Sequence, residues 1–347
     1  MSGRASTNRI RCAIDFAKQG RQAGYARAPL SRNTSGWGTV EIPIAVFANG
    51  PGPTLLLTGG VHGDEYEGPI ALARLIRTLR VEEMRGRLIV MPAVNVPAFL
   101  NDTRLSPVDN RDLNRSFPGD PAGTFSQMLA HFIDSAILPM ADVSVDLHTC
   151  GHSGDCVPST NMHYIADAAV RSRTMDVAAA FGAPANVVFW GVDEGATLTS
   201  SVEKRGIVSI GTELGGWGRV SVEGVRIAER GVRNVLKHLG MMDGAPDTAQ
   251  RDGHPATRHH MVPGQACYSF APRGGIFEPC HVTGENVKAG ETAGFIHFVE
   301  DIDTPPIEIR YAESGALWVA SGPGRVQRGD CVAVLMQAYD AARAAAV

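Results

Sequence analysis

The sequence predicts an α/β protein whose sheet is mixed but largely parallel and carries helices on both faces, with a smaller all-β part behind it. Short apolar runs of strand length recur through residues 1–245, and amphipathic segments of helical length separate them. Both patterns stop in the polar, proline-containing stretch 246–263. Alternating strands and helices predict βαβ units and a parallel sheet. We therefore expect an α/β domain over 1–245, a linker over 246–263 and a β-barrel or sandwich-like domain over 264–347.

The strands of the first domain are predicted where apolar residues alternate or run together beside turn-forming residues. Asn49-Gly50 ends the first such segment and Gly59-Gly60 ends the second. Both pairs are typical of turns that terminate strands. The predicted strands cover residues 39–47, 54–58, 88–94, 143–147 and 207–214.

The helices between these strands are predicted from apolar residues at helical spacing. Pro69 suits a first helical turn, Thr124 is a candidate N-cap, and Gly182 suits a helix end. The predicted helices cover residues 69–79, 125–140, 166–181, 197–205 and 222–239.

The C-terminal part shows short strands and turns, a helix only over 337–346, and a weak internal repeat. Gly275-Ile-Phe, Val287-Lys-Ala-Gly290-Glu291 and Gly294-Phe-Ile return as Gly315-Ala-Leu, Val326-Gln-Arg-Gly329-Asp330 and Val332-Ala-Val. The copies lie about 40 residues apart, which is a spacing typical of repeated structural units. Two related halves of a small β structure are one explanation, and chance similarity of two glycine turns is the other.

Composition and charge exclude several classes of function. The formal net charge is −4, without the basic cluster that nucleic-acid binding needs. No stretch approaches the roughly 20 apolar residues of a membrane span, and residues 1–20 lack the apolar core of a signal peptide. We expect a soluble, cytoplasmic protein. The six cysteines form no CxxC pair, so we expect reduced thiols.

Two segments at predicted strand ends carry metal-ligand residue types. His62 and Glu65 follow the strand 54–58, and His148 follows the strand 143–147. Two histidines and one glutamate are a typical ligand set for catalytic zinc, whereas a lone H-x-x-E is a weak signal. Asp146 is a candidate to orient an imidazole, or it caps the strand. The competing histidines are His152, His163, His259 and His260.

An unusual loop between residues 104 and 119 carries three arginines and two asparagines. Because the guanidinium group binds carboxylates through two parallel hydrogen bonds, this pattern suggests an anion pocket for a substrate carboxylate. One arginine would remain for a developing oxyanion. The alternative is a solvated, charged loop. The residues concerned are Arg104, Arg111, Asn114 and Arg115.

Glu213 ends the apolar strand 207–214 and is followed by Gly215, Gly216 and Gly218. A buried carboxylate needs a partner, and a water activated by a metal would supply one. Glu213 is then the candidate general base, which takes the proton of that water and passes it to the leaving nitrogen. The alternative is an exposed glutamate at a strand end.

Taken together, these motifs resemble the succinylglutamate desuccinylase/aspartoacylase family of the zinc carboxypeptidase-like superfamily. The matching segments run in family order and comprise G-G-x-H-G-D-E at 59–65, N-x-x-A-F at 95–99, T-R-x-S-P at 103–107, L-N-R-x-F-P-G at 113–119, D-L-H at 146–148 and T-E-L-G at 212–215.

The resemblance implies a zinc-dependent amidohydrolase with one zinc ion per chain, held by His62, Glu65 and His148. It also implies that Arg104 polarises the scissile carbonyl, that Asn114 with Arg115 grips the substrate carboxylate, and that Glu213 shuttles the proton. The implied fold is the zinc carboxypeptidase-like sheet with a C-terminal β domain packed over the site.

Within the family, the chain is most similar to the branch that removes acetate from N2-acetyl-L-2,4-diaminobutanoate in ectoine breakdown. It departs from that branch over residues 149–156 and at Trp217. The expected partner is a small N-acyl amino acid, and a homo-oligomer is possible. The alternatives are a deacylase for another acyl group, a metallocarboxypeptidase acting on peptides, and a carboxylate-binding protein without catalysis.

Overall fold

The structure is a computed structural model that describes residues 8–190, 195–248 and 256–345. Within those ranges no helix has the length and apolar character needed to cross a membrane.

The described residues form a long mixed sheet, a second four-stranded sheet and helices on both faces of the long sheet. The strands are β1 (Arg11–Cys12), β2 (Gly20–Arg32), β3 (Ser35–Asn49), β4 (Thr54–Gly59), β5 (Gly86–Met91), β6 (Val143–Leu147), β7 (Gly154–Cys156), β8 (Ser159–His163), β9 (Ala185–Phe189), β10 (Val208–Glu213), β11 (Arg258–Val262), β12 (Tyr268–Phe270), β13 (Gly275–Pro279), β14 (Asn286–Val287), β15 (Thr292–His297), β16 (Ile307–Arg310), β17 (Gly315–Ser321), β18 (Arg325–Val326) and β19 (Cys331–Ala338). The helices are α1 (Glu67–Thr78), α2 (Val96–Asn101), α3 (Phe125–Phe132), α4 (Ala168–Phe181), α5 (Leu198–Glu203), α6 (Val222–His238) and α7 (Ala341–Ala344).

The centre of the long sheet is parallel, as predicted. Strands β5, β4, β6 and β10 lie side by side and parallel, and so do β8, β9 and β11, while β10 and β8 pair antiparallel. Antiparallel strands β1 to β3 extend one edge. The predicted fold class is therefore confirmed, and the carboxyl ends of β4, β6 and β10 meet at one edge of the sheet.

The apolar runs are fully buried because helices cover both faces of the sheet. In β4, Leu55 and Leu57 pack in the cluster that contains Phe181 of α4 and Val232 of α6. Leu56 points to the opposite face and packs with residues of α3 and α5. Successive side chains of a strand alternate between faces, so a continuous apolar run is required when both faces are covered.

The internal repeat of the C-terminal part is present in the structure. In the first copy, β13 pairs with β15 of the same copy and with β18 of the second copy. In the second copy, β17 likewise pairs with β19 of the same copy and with β14 of the first copy. The two turns also correspond, because Lys288 N–H donates to the Glu291 carboxylate at 2.9 Å and Gln327 N–H donates to the Asp330 carboxylate at 2.7 Å. Each copy thus supplies one short strand to the other.

One predicted helix changes type along its length, and one strand of the structure was not predicted. The helix predicted over 125–140 is α-helical only to Phe132 and continues as a π turn (Ile133–Ile137) and a 3₁₀ turn (Leu138–Met140). Pro139 lies in this last turn and has no N–H to continue an α-helix. Strand β2 was not predicted, because its largely exposed side chains leave too weak an apolar pattern.

The predicted linker is wrong for residues 258–262, which form β11 between β9 and β19. Only Met261 and Val262 of this strand are buried. The three preceding residues are polar, so the sequence lacks the apolar run that predicts a strand. Residues 249–255 of the linker lie outside the described residues. At the chain end, residues 337–338 of the predicted helix belong to β19, and residues 346–347 are outside the described ranges. The division at 245 and 264 stays a prediction.

The first testable prediction concerns the core between α4 and α6. Phe181 is fully buried, and its ring packs where Gly231 of α6 leaves room. We expect Phe181→Ala to lower the free energy of unfolding by about 3–5 kcal/mol, because a large cavity remains. Trp37, which is 99% exposed, provides the control, since Trp37→Ala should change that free energy by less than about 0.5 kcal/mol. Equal losses in urea unfolding would contradict the packing described here.

Candidate active site

Three neighbouring parallel strands deliver the candidate site. His62 follows β4, His148 follows β6, and Glu213 is the last residue of β10. Glu65 lies just before α1, in the loop that starts with the turn Gly59-Gly60. Ligand sites in α/β proteins form at the carboxyl ends of such strands. One ligand atom each from His62, Glu65 and His148 lies within 4.8 Å of the others.

The Glu65 carboxylate joins the two histidines. Its Oε1 lies 2.7 Å from His62 Nδ1, and its Oε2 lies 2.8 Å from His148 Nδ1. The backbone N–H of Thr149 also donates to Oε2, at 3.1 Å. The three side chains are buried, with 1–8% of each residue exposed. The Nδ1 atoms therefore face one common point beside a carboxylate.

The remaining imidazole nitrogens are held by two further carboxylates. His148 Nε2 lies 2.7 Å from Asp146, which also accepts a hydrogen bond from the Thr58 hydroxyl at 2.6 Å. His62 Nε2 lies 3.1 Å from Asp112. Carboxylates in this position fix the tautomer and orientation of metal-binding histidines. The sequence suggests this role for Asp146, whereas it does not indicate the role of Asp112, which lies between Arg111 and Asn114 in the arginine loop.

The charges within this cluster shift its pKa values strongly. Burial disfavours the ionised form of Glu65, but the adjacent His62 and His148 hold its pKa well below the usual range. Burial likewise opposes protonation of His148, yet Asp146 and Glu65 raise its pKa. The cluster thus concentrates negative charge around two imidazoles, which suits a cation at their centre.

A glycine permits the close approach of two loops at His62. A Cβ atom on Gly63 would lie 2.0 Å from the carbonyl carbon of Ala98, inside van der Waals contact. The Gly63 N–H donates to the carbonyl oxygen of Thr103 at 2.9 Å. This contact brings Arg104 beside the His62 ring.

Arg104 lies beside the cluster of His62, Glu65 and His148. Its guanidinium forms an ion pair with Asp112 at 3.0 Å, and its Nη1 lies 3.5 Å from His62 Nδ1. Burial opposes its charge, but Asp112 and then Glu65 raise its pKa. The side chain is 39% exposed. The ion pair with Asp112 therefore fixes the orientation of the guanidinium group, and its partial exposure leaves it accessible to a bound molecule.

The other residues of the arginine loop differ in their surroundings. The Asn114 side-chain oxygen accepts from Leu198 N–H at 2.9 Å, which fixes this side chain at the start of α5. The Arg115 guanidinium donates to the Asn114 backbone carbonyl at 2.8 Å. Arg111 pairs through its backbone with Ser106 and is exposed. Substrate binding by these three residues remains a prediction.

Glu213 carries an unusual carboxyl group. Its Oε2 atom is buried and has no hydrogen-bond partner among the described residues. Burial and the negative charge of Glu65 raise its pKa to about 7, although His148, His62 and Arg104 oppose the shift. A carboxyl group with this pKa can accept a proton and release it near neutral pH.

The expectation of reduced thiols is wrong at one place, because Cys150 and Cys156 form a disulfide. The turn at residues 151–153 brings their Cα atoms within 6.2 Å, which the spacing of six residues does not reveal. Both sulfurs and a Glu213 oxygen also form a second group of potential metal ligands among the described residues. The bonded sulfurs are not thiolates, so the first group is the better candidate.

The competing histidines do not join the cluster. His152 lies 3.0 Å from Asp102 at the surface, and His163 lies 2.7 Å from Glu203. His259 contacts Asn186 at 3.1 Å, and His260 Nδ1 lies 3.2 Å from the backbone carbonyl oxygen of Arg258. Trp217 and the segment 149–156 contact each other, since Trp217 N–H donates to Gly154 O at 2.9 Å.

The chain is similar to known proteins over most of its length. Residues 51–239, more than half of the chain, match the succinylglutamate desuccinylase/aspartoacylase catalytic domain. An N-alpha-acetyl-L-2,4-diaminobutyric acid deacetylase of Halomonas elongata is 36% identical over 97% of this chain and 98% of its own.

Two solved structures are also similar over nearly the whole chain. A succinylglutamate desuccinylase/aspartoacylase from Rhodobacter sphaeroides is 67% identical, with a TM-score of 0.92 over 96% of this chain and 99% of that one. The product-bound ectoine utilization protein EutE (DoeB) from Ruegeria pomeroyi is 38% identical, with a TM-score of 0.90 over 95% and 99%.

The second testable prediction concerns Asp146. Asp146→Asn keeps the size of the side chain but removes the charge that holds the His148 ring. We expect the affinity for zinc to fall about 10–100-fold, as measured by competition with a chromophoric chelator. Asp176→Asn, on the exposed face of α4, is the matched control. Unchanged affinity in Asp146→Asn would show that Asp146 does not support a metal ligand.

Proposed function

Because the chain belongs to the succinylglutamate desuccinylase/aspartoacylase family, we propose that it hydrolyses the amide bond of a small N-acyl amino acid, with N2-acetyl-L-2,4-diaminobutanoate or a related compound as substrate. The observation that carries this proposal is the position of Glu213 beside the buried cluster of His62, Glu65 and His148. The similarity to the Halomonas elongata deacetylase extends over 97% of the chain, which supports the acetyl group and the diamino acid.

One zinc ion per chain is the proposed cofactor. His62, Glu65 and His148 provide two nitrogen donors and one oxygen donor, with Asp112 and Asp146 behind the rings, and this donor set fits zinc. When bound, the ion supplies Lewis-acid chemistry, in that it lowers the pKa of a water and polarises the acyl carbonyl.

Glu213 is proposed as the general base. Its unpartnered Oε2 can accept a proton from the attacking water, and its raised pKa lets it donate that proton to the leaving amine. Arg104 donates hydrogen bonds to the oxygen of the acyl group, where negative charge develops. Asp112 holds the guanidinium in place, so the donor is oriented before the substrate binds.

Asn114 and Arg115 are proposed to bind the substrate carboxylate, with Arg111 as a further donor at the loop surface. The fixed Asn114 side chain can present its amide N–H₂ group, because its oxygen is held by Leu198. A guanidinium beside it would complete an anion pocket. Because this pocket binds a free carboxylate, it would select small amino acids over internal peptide segments, which have no such group.

A substrate panel tests the proposal directly. The zinc-loaded protein is assayed with N2-acetyl-diaminobutanoate, N-acetylaspartate, N-succinylglutamate and a peptide with a free C-terminus. We expect the highest kcat/KM for the acetylated diamino acid. Preference for another acyl group would correct the substrate, and cleavage of the peptide alone would overturn the proposal.

The third testable prediction concerns the base. We expect Glu213→Gln to lower kcat about 10²–10⁴-fold while the zinc content per chain stays unchanged, because the amide cannot take the proton. Glu82→Gln, on an exposed 3₁₀ turn, is the control and should keep full activity. Near-normal turnover by Glu213→Gln would refute the assignment of the base.

The fourth testable prediction concerns Arg104. We expect Arg104→Met to lower kcat about 10²–10³-fold, since a donor to the developing oxyanion is lost. Arg85→Met serves as the control, because Arg85 pairs with Asp243 on the exposed surface. A rise in KM with unchanged kcat would instead show that Arg104 binds the substrate without acting on the transition state.

A further inference from the structure

The disulfide between Cys150 and Cys156 closes a loop that begins two residues after His148. The loop consists of the turn at residues 151–153 and strand β7. Cys150 is half-buried, whereas Cys156 is only 3% exposed. The other cysteines, Cys12, Cys267, Cys280 and Cys331, are free thiols. This crosslink is therefore placed at the candidate site and not at a remote part of the fold.

The crosslinked loop packs against the glycine segment that follows Glu213. Cys150 N–H donates to Gly215 O at 2.8 Å, and Gly218 N–H donates to Gly151 O at 2.9 Å. A Cβ atom on Gly216 would lie 1.9 Å from the Gly154 carbonyl oxygen, so the two backbones approach as closely as glycine allows. Any change in the shape of the loop is thereby passed to the backbone that carries Glu213.

The opposite side of the loop is attached to the C-terminal part. Strand β7 pairs antiparallel with β17, with Cys156 opposite Val319 and Gly154 opposite Ser321. Thr283 donates to the Asp155 carboxylate at 2.7 Å. Within the loop, Gly154 N–H and the Ser153 hydroxyl donate to Cys150 O at 3.2 and 2.8 Å. The disulfide adds a covalent crosslink between the first and last residues of this loop.

The sulfur atoms themselves lie beside the base. Both Sγ atoms and a Glu213 carboxylate oxygen lie within 4.8 Å of one another. A disulfide has no hydrogen to donate, and Glu213 Oε2 has no hydrogen-bond partner among the described residues. Two thiols at the same place would have S–H groups that can donate to this carboxylate. The oxidation state of the pair thus decides whether the base has competing donors.

We propose that Cys150 and Cys156 form a redox modification site at which dithiols open the disulfide and lower the catalytic rate. In the oxidised state the crosslinked loop forms a closed wall beside Glu213. In the reduced state the sulfurs separate to non-bonded contact, the loop shifts against Gly215 and Gly216, and a thiol competes for the carboxylate. The catalytic consequence rests on the proposed function of Glu213, whereas the reduction chemistry does not.

The chemistry is a thiol–disulfide exchange with a dithiol as the reductant. One thiolate of the dithiol attacks Sγ of the more accessible Cys150, the S–S bond breaks, and Cys156 leaves as a thiolate that takes up a proton. The second thiol of the reductant then attacks the mixed disulfide and releases Cys150. The dithiol becomes a disulfide, and two electrons and two protons pass to the cysteine pair.

The fifth testable prediction compares the zinc-loaded enzyme before and after reduction with dithiothreitol, which is removed before the assay while zinc per chain is measured. We expect reduction to add two alkylatable thiols and to lower kcat about 10–100-fold, with KM changed less than about threefold and zinc retained, because displacement of about 1 Å at a catalytic group costs about 10²-fold. Reoxidation should restore the rate.

Variants separate the disulfide from general effects of the reductant. The double variant Cys150→Ser, Cys156→Ser should have the low kcat of the reduced enzyme and should not respond to dithiothreitol. The pair Cys280→Ser, Cys331→Ser, at two exposed free thiols, should behave like the wild type. An unchanged kcat after complete reduction would overturn the proposal, as would six free thiols in the air-oxidised protein.

Hydrogen exchange keeps this test independent of the substrate assignment. We expect faster exchange of the backbone amides of residues 149–157 after reduction. If no compound of the panel is hydrolysed in either state, the proposed function fails, while faster exchange still supports the redox site. Identical exchange in both states would refute a structural effect of the disulfide.

Discussion

The whole site depends on one buried carboxylate, that of Glu65, which contacts both His62 and His148. An isolated carboxylate at this depth would be strongly destabilising, so it persists only because two imidazoles and the Thr149 N–H face it. That requirement fixes the ends of β4 and β6 relative to each other. The parallel register of β4 and β6, in which Thr58 lies opposite Asp146, fixes these strand ends. The Thr58 hydroxyl also donates a hydrogen bond to the Asp146 carboxylate, which contacts the His148 ring. Fold and chemistry are therefore joined at the same two strand ends.

Much of this arrangement could be predicted from the sequence, because ligands at strand ends follow apolar runs that are easy to recognise. The segments containing His62, Glu65, His148 and Glu213 all fall in this class, and the structure brings them together. The role of Asp112 could not be predicted, because it arises only when the arginine loop folds back onto His62. The disulfide was not predicted, because five residues lie between its cysteines and a turn, not a sequence motif, brings them close. Strands β2 and β11 were not predicted, because few of their side chains are buried and their sequences lack a clear apolar pattern.

The C-terminal part does more than append a β structure to the sheet. Its two copies exchange short strands, and β17 of the second copy extends to pair with β7 beside the candidate site. Trp318 of β17 also donates to the Ser159 hydroxyl at 2.9 Å at the start of β8. The loop that follows His148 is thus held in place by a strand of the C-terminal part.

We propose that a single cation is held where the Nδ1 atoms of His62 and His148 meet the Glu65 carboxylate. Anomalous X-ray diffraction above the zinc absorption edge, from crystals of the zinc-loaded protein, measures this directly. We expect one strong peak per chain at about 2.0–2.2 Å from the nearest nitrogen or oxygen atom of each of these three side chains. A peak at Cys150, Cys156 and Glu213 instead, or no peak in protein that hydrolyses its substrate, would contradict it.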